Sequence, residues 1–478
     1  MAAPLIVLLR RGNLAWLIVT AVSVFMFAGA LMLFAEVQRH GVVSYELGSW
    51  APPWGIEYRL DAANAFVLVL LGTIAAVVAP YARKSVAAEV PRDQHYLFYA
   101  LHCLCLAGLA GITVTGDAFN IFVFLEISSL STYVLIALGR DRRALLASYQ
   151  YLILGTVGAT FFVIGIGLLY LKTGTLNLAD LAARLEDAGS KRAVLAALAF
   201  ITVGISLKLA LFPLHMWLPN AYAYAPSAVS ALLAAVATKV SVYVLLRFYF
   251  SIFGVGAVFG ALPMEQVLLV LAVAAMFVAS AAAIWQDNLK HMLAYSSLGQ
   301  IGYITFGIGL ASPTGITGSV LHLLNHGITK GALFLLAGCI AYRLHSVRFD
   351  RMAGIGRSMP WTCAGIVVGG LSLVGVPATA GFVSKWYLVL AAIETPYWWI
   401  AVLPVASSLL AVAYVWRFVE VAYFREPTDE VRALREAPLG MLVPAWVLVG
   451  AVFWLGVDTT WSVTAASRAA EVLLGGIR

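Results

Sequence analysis

Residues 318–335 read GSVLHLLNHGITKGALFL and lie inside an apolar run from about 316 to 342. His322, His326 and Lys330 recur at i, i+4 and i+8, so on a helix they stack along one stripe. A run of this length crosses the roughly 30 Å hydrocarbon core of a bilayer, which puts three titratable groups inside a membrane. An ionisable side chain at that depth is costly, so it faces a partner or a wet cavity and marks an ion or proton path. Polar side chains also act as glue between membrane helices. One histidine fits either role; two histidines and a lysine on one stripe favour a relay.

Composition agrees with that reading. The chain has 478 residues, of which 62% are hydrophobic and 11% charged, with a mean hydropathy of +0.93. Soluble domains carry about a quarter charged residues. The fold class expected is an all-α polytopic membrane protein, because repeated apolar runs of about 20 residues without alternation describe helices and not a barrel. Cys103, Cys105, Cys339 and Cys363 form no C-x-x-C pair and read as ordinary apolar-helix residues. No iron–sulfur, haem or zinc ligand pattern and no phosphate-binding G-x-x-x-x-G-K-[ST] loop is present. No cofactor and no metal are therefore expected, and any coupled redox chemistry or ATP hydrolysis belongs to other proteins. The net charge of +7 is accounted for by membrane orientation and calls for no nucleic acid.

Thirteen spans are expected, at about 12–36, 62–83, 95–115, 118–139, 148–171, 194–213, 227–250, 265–286, 292–310, 316–342, 361–393, 400–424 and 439–460, the eleventh long and interrupted. Residues 3–9 are too short to span, and no signal-peptide cleavage pattern precedes the first span. With the N-terminus cytoplasmic, sixteen of the 30 basic residues fall in inner segments and eight in outer ones, the bias that orients helical membrane proteins. The remaining six, Lys208, Lys239, Arg247, Lys330, Lys385 and Arg417, fall within spans. In the outer segments, Trp50 and Trp54 suit an interface. Residues 175–188 align Leu178, Leu181 and Leu185 on one face, which fits either a short surface helix capped by Thr175 or Asn177 or a solvated loop.

A shift of about 170 residues brings Gly116-Asp117 onto Gln286-Asp287, Tyr133 onto Tyr303, and Tyr243, Arg247 and Phe248 to within a residue of Tyr414, Arg417 and Phe418. The matching blocks start at spans four and nine. Five spans per unit is an odd number, so two such units have opposite orientations, and inverted repeats place an ion site near the midplane on broken helices. The expected organisation is N-terminal helices over 1–115, a first half-channel over 116–255, a second over 265–425, and a C-terminal helix and tail over 426–478. Each half has a candidate broken helix: Lys208 lies five residues before Pro213, and Lys385 eight after Pro377. Proline removes a backbone donor and leaves carbonyls free.

Two further intramembrane charges stand alone on their helices. Glu126, in IFVFLEISSLSTYVLI, has no basic residue within a turn, and Lys239 sits in LLAAVATKVSVYVLL. A buried carboxylate needs a partner from another helix to stay ionised. A buried lysine whose partner moves can release or take up a proton. Arg417 and Glu420, at i and i+3 near a span end, read as a structural pair.

Four stretches carry a resemblance: TGDAFNIFVFLEISSLSTYVLIALG, SLKLALFPLHMWLPNAYAYAPSAVSALLA, QDNLKHMLAYSSLGQIGYITFGIG and HLLNHGITKGALFLLAG. From about residue 55 to 425 the chain resembles the antiporter-like subunits shared by respiratory complex I, membrane-bound hydrogenases and Mrp-type cation/proton antiporters, the GDAFNIFVFLE form looking most like the D-type subunit of Mrp complexes or its close relatives in hydrogenase-type complexes. The resemblance implies that Glu126 pairs with Lys208, that Lys239 passes the proton onward, that His322, His326 and Lys330 carry it across the centre, and that Lys385 is the terminal lysine. Some members have Glu at that last position. Family members begin with one more N-terminal span, here a stub, and the long lateral C-terminal helix of the largest complex I subunit has no counterpart. The implied setting is a bacterial inner membrane, with other membrane subunits as partners and H⁺ and Na⁺ as the ions moved. Three readings follow: an Mrp-type Na⁺/H⁺ antiporter subunit, preferred only narrowly over the second; a proton- or sodium-pumping module of a redox complex; and a structural membrane scaffold, which the polar series at corresponding places in both halves opposes.

Overall fold

The computed structural model describes residues 2–186, 191–260 and 262–475. The apolar runs of the chain are helical, as they must be where no water satisfies the backbone. Among the described residues, eleven helical stretches are long and apolar enough to cross a membrane, and the protein is a multi-pass, all-α membrane protein. The eleven do not include two of the thirteen expected spans. The ninth is the helix Leu289–Gly309, diluted by Ser296, Ser297 and Gln300. The eleventh is divided into Pro360–Val374 and Ala380–Ile393.

Caps fix where the helices begin. Asp61 opens Ala62–Glu89 with a capping box, its carboxylate accepting from Ala63 and Asn64 while Asn64 accepts from the Asp61 N–H. Asp117 caps Ala118–Ala137, and Asn288 caps Leu289–Gly309. Around those two starts the same bonds occur twice, 171 positions apart. Ala118 N–H donates to Leu176 O and Leu289 N–H to Val347 O; Leu178 N–H donates to Gly116 O and Phe349 N–H to Asp287 O. Ser148 Oγ donates to Tyr133 O, and Ser319 Oγ to Ile304 O. This bonding pairs Asp117 with Asn288, both caps, one position away from the alignment that the residue identities alone suggest.

The helix Pro313–Leu344 is the centre of the bundle. Its 32 residues run about 48 Å at 1.5 Å each, and its most apolar window is wholly buried. Ser312 caps it, with Pro313 in the first turn. Gly327 permits a close approach: a Cβ there would lie 2.8 Å from both Ala235 O and a Leu70 methyl.

Two helices break beside a lysine. Lys191–Leu209 stops at Ala210, which has φ +59°, and the chain resumes as Leu218–Tyr224. Pro360–Val374 ends on Gly375 at φ +91°, passes Ala378 at φ +65°, and resumes at Ala380. Left-handed alanines are sterically disfavoured and hold only because the packing around each break fixes them.

Several details differ from the sequence reading. Residues 43–46 and 57–60 form an antiparallel hairpin that sequence did not signal. It docks on the start of Ala118–Ala137 through Gly116 N–H to Glu57 O. The buried Glu57 carboxylate accepts from Ser44 and Asn177. Of the two alternatives for 175–188, a helix forms over Leu178–Glu186, and the side chain of Asn177 caps it; residues 187 and 188 lie outside the described residues. Arg417 does not pair with Glu420. Its guanidinium bonds Asp287 at 2.8 Å and the carbonyls of Ile284 and Gln286, while Glu420 pairs with Arg425. The carbonyls at and just past the end of Met264–Ile284 and the Asp287 carboxylate together offer the guanidinium three acceptors, which the single local carboxylate does not match.

Candidate functional site

The ionisable groups singled out by sequence lie on five helices, the central Pro313–Leu344 among them. Lys208, Lys239, His322, His326, Lys330 and Lys385 are all buried. Glu126 is the exception, with 26% of its side chain exposed.

Lys208 is one residue short of the first helix break. Its Nζ lies 3.4 Å from Glu126 Oε1 and donates to Ser129 Oγ at 2.8 Å. Glu126 and Ser129 are one turn apart on Ala118–Ala137, so one helix face supplies both partners. Beside Lys208, Ser128, Ser129, Thr132 and Tyr151 line a cavity of about 20 Å³ whose far wall is Ala237 and Ser241. That is room for one water, set between Lys208 and the helix that carries Lys239.

Lys239 follows a π-helical segment, Leu233–Ala237. The wider π turn leaves carbonyls without their usual i+4 donors. Tyr222 OH takes Leu233 O at 3.0 Å, and Lys239 Nζ takes Ala234 O at 2.5 Å and reaches Thr238 Oγ1 at 3.4 Å. Among the described residues, none of Lys239, Lys330 and Lys385 makes an ion pair.

On the central helix the stripe is intact. His322 Nδ1 is 2.8 Å from Ser384 Oγ, and its Nε2 is 3.1 Å from Gln300 Oε1. His326 stacks on His322 with ring centroids 5.9 Å apart, and neither of its ring nitrogens has a hydrogen-bond partner among the described residues. Lys330 Nζ donates to Leu293 O at 2.8 Å and to Ser296 Oγ.

Lys385 turns back across the second break. Its Nζ donates to Leu373 O at 2.6 Å, Val374 O at 3.2 Å and Ser408 Oγ at 3.0 Å. It also lies 4.4 Å from the centroid of Tyr303, whose ring is 5.6 Å from that of His322. The structure therefore joins Glu126 to Lys208, and Lys385 through Tyr303 to His322 and His326. Lys239 and Lys330 hold to backbone carbonyls and hydroxyls on either side.

Sequence reasoning missed the neutral partners Ser129, Thr238, Ser296, Gln300, Tyr303, Ser384 and Ser408. Ser129, Ser296, Gln300 and Tyr303 lie inside the stretches that carry the resemblance, which was the available signal. It also missed Asp61. Arg247 Nη1 is 2.8 Å from Asp61 Oδ2, and Nη2 donates to Oδ1 at 2.9 Å. Both side chains are buried, and Tyr243 OH accepts from Arg247 Nε at 3.3 Å. Lys239, Tyr243 and Arg247 thus form a second polar stripe at i, i+4, i+8. Among the described residues no three His, Cys, Asp or Glu side chains gather as a metal-ligand cluster.

Comparison with known proteins sets this geometry in context. The family described as NADH:quinone oxidoreductase/Mrp antiporter, TM, matches residues 115–411. The chain is 42% identical over 471 residues to NADH-quinone oxidoreductase subunit N of Desulforudis audaxviator, covering 95% of this chain and 93% of that protein. It is 32% identical over 432 residues to the D-type subunit of the Na(+)/H(+) antiporter of Alkalihalophilus pseudofirmus, covering 89% and 85%. Its fold is similar to a chain of the Mrp complex from Dietzia sp., with a TM-score of 0.90 and 27% identity over 99% of this chain and 95% of that one.

Proposed function

The chain belongs to the NADH:quinone oxidoreductase/Mrp antiporter family of transmembrane subunits, and on that basis we propose that it carries protons across the membrane along its buried ionisable axis. It is an antiporter-like subunit of a multisubunit membrane complex. The observation that carries the proposal is the set of six buried side chains, Lys208, Lys239, His322, His326, Lys330 and Lys385, that begins at the partly exposed Glu126, the lysines and His322 bonded to hydroxyls or to carbonyls beside helix irregularities and His326 stacked on His322. A scaffold would not need four lysines buried with, among the described residues, only one carboxylate as a direct partner. Neighbouring ammonium groups repel strongly where water is excluded, so protonation of one opposes protonation of the next. Moving Glu126 relative to Lys208 therefore alters the charge that Lys239 and the central histidines can hold.

The two halves read as inverted units, supported by the bonds repeated at an offset of 171 residues and by a broken helix beside Lys208 and Lys385. A polar recess of about 370 Å³, lined by Glu89, Arg143, Lys290 and Arg348 among others, fits an inlet. From it Lys290 Nζ bonds Ala225 O, Ser230 bonds Ala225 O and Tyr222 O, and Tyr222 OH reaches the π segment before Lys239. At the other end, Glu126 lies on the stripe of Phe119, Val123, Leu130 and Val134, all exposed. A carboxylate on that face in mid-membrane requires a polar neighbour, which another membrane subunit supplies. The positive-inside bias supports a cytoplasmic N-terminus.

Redox chemistry in other subunits is the favoured energy source, because the identity to a quinone oxidoreductase subunit, 42% over nearly the whole chain, exceeds that to the Na(+)/H(+) antiporter relative. This reverses the narrow preference for the antiporter setting drawn from the sequence. The antiporter setting keeps the support of the fold shared with an Mrp complex chain. Mass spectrometry of the tagged complex from native membranes separates the two: iron–sulfur or flavin subunits support the first, small hydrophobic subunits alone the second. Glu126→Gln and Lys239→Ala test translocation itself. Each is expected to abolish proton transport in proteoliposomes with assembly intact, and normal transport in an assembled variant removes that residue from the path.

A further inference from the structure

An apolar groove of about 500 Å³ opens on the flank of the bundle between the helices Gly12–His40, Ala62–Glu89 and Leu439–Val457. Its walls are Val77, Pro80, Val443 and Val447, its rim carries Arg83 and Lys84, and Trp16 closes one side. From Lys84 down to Ala76, and from Leu439 down to Val447, the groove descends eight residues, about 12 Å at helical rise. It therefore reaches part-way into a hydrocarbon core of roughly 30 Å. Leu439, Val443 and Val447 are exposed along it at i, i+4 and i+8, so no described residue of the chain covers this face.

The rim is charged in one sense only. Arg83 and Lys84 are exposed, and neither makes an ion pair among the described residues. Trp16 donates its indole N–H to Ala79 O at 2.9 Å, which fixes the ring, and the Arg83 guanidinium lies over that ring at 4.6 Å. An arginine stacked in this way keeps its N–H edges free for an anion. The helix Leu439–Val457 also begins at the rim, with no side chain capping its first N–H groups, which adds partial positive charge at the same place.

We propose that this groove binds an anionic phospholipid, its phosphate held by Arg83 and Lys84 and one acyl chain laid between Val77, Pro80, Val443 and Val447. The occupant follows from the two ends of the groove. Unpaired cations at the membrane surface above an apolar slot match a molecule with a negative head and a hydrocarbon tail. A neighbouring subunit's helix would have to offer carboxylates at that one depth.

The experiment uses the complete complex reconstituted in phosphatidylcholine bilayers containing a trace of photoactivatable phosphatidylglycerol, with adducts mapped by mass spectrometry. Adducts are expected on the groove segments around residues 76–80 and 443–447, in excess over those from a photoactivatable phosphatidylcholine. In Arg83→Gln/Lys84→Gln the labelling at limiting lipid should fall about thirty-fold, from two surface cations at their usual strength. Val443→Trp fills the slot while keeping both charges and should also abolish labelling with thermal stability unchanged, so it decides the matter if the double variant fails to assemble. Equal labelling by both lipids, labelling unchanged in an assembled variant, or a cross-link from the groove to another membrane subunit overturns the proposal.

Discussion

The Lys385 ammonium lies 4.4 Å from the centre of the Tyr303 ring. Its hydrogen bonds go to two backbone carbonyls and a serine hydroxyl, with no carboxylate among them, and the ring offers it the negative face of a neutral quadrupole. A desolvated cation over an aromatic face is stabilised by about 2 kcal/mol. Tyr303→Phe keeps the ring and loses only the hydroxyl bonds to Pro404 O and Ser408 Oγ. Tyr303→Leu removes the ring. Proton transport in proteoliposomes should fall roughly tenfold or more in the leucine variant and only modestly in the phenylalanine variant. Equal losses in the two would locate the importance of Tyr303 in its hydroxyl.

The two central histidines should separate by stability. His322 bonds Gln300 and Ser384, so His322→Phe strands the buried Gln300 Oε1 at roughly 1–3 kcal/mol, while Ser384 Oγ keeps its bond to Gly381 O. His326 has no hydrogen-bond partner to strand among the described residues, and a phenyl ring would keep the stack on His322. His326→Phe should therefore leave thermal stability in detergent unchanged or raised while stopping proton transport. Retained transport would take the His326 imidazole out of the path.

Charges in apolar runs were legible without a structure, because few residues besides Lys, Glu and His disturb a membrane span so plainly. Their neutral partners were not: Ser384, Ser408 and Gln300 belong to residue types that serve as ordinary interhelical glue. Asp61 escaped notice for a different reason. It stands just before a span, where an aspartate is expected as a cap, and it is one; its second role with Arg247 spans 186 residues of sequence. Arg417 was misread because a local i, i+3 neighbour was visible in the sequence and Asp287, 130 residues away, was not. The broken helices were legible from proline and lysine together, but where each resumes depended on left-handed Ala210 and Ala378, which no propensity favours.

Asp61 permits a clean separation of charge from cap. Asp61→Asn preserves an acceptor for Ala63 and Asn64 and leaves the buried Arg247 guanidinium without its carboxylate. Breaking a buried pair from one side costs about 3–5 kcal/mol, so the variant should melt well below the wild type in detergent. Adding Arg247→Met removes the stranded charge and should recover most of that loss. A double variant no more stable than Asp61→Asn would show that Arg247 is held chiefly by Tyr243 and Ser251.

Gly327 packs the central helix against the π segment that holds Lys239. A Cβ at this position would meet Ala235 O at 2.8 Å, a backbone atom in the π segment whose Ala234 carbonyl holds Lys239. One turn on, a Cβ at Gly331 would crowd the ends of the Leu448 and Ile74 side chains, at 2.9 and 3.0 Å, which can rotate aside, and would meet Ala235 Cβ at an ordinary contact distance of 3.5 Å. Overpacking costs about 1–3 kcal/mol where the neighbour cannot yield. Gly327→Ala should therefore lower thermal stability by that amount and reduce proton transport, because the Lys239 acceptor is displaced. Gly331→Ala should do neither to the same extent. If both variants transport alike, the π segment accommodates the added methyl without moving Ala234, and Lys239 does not depend on the close packing of the two helices.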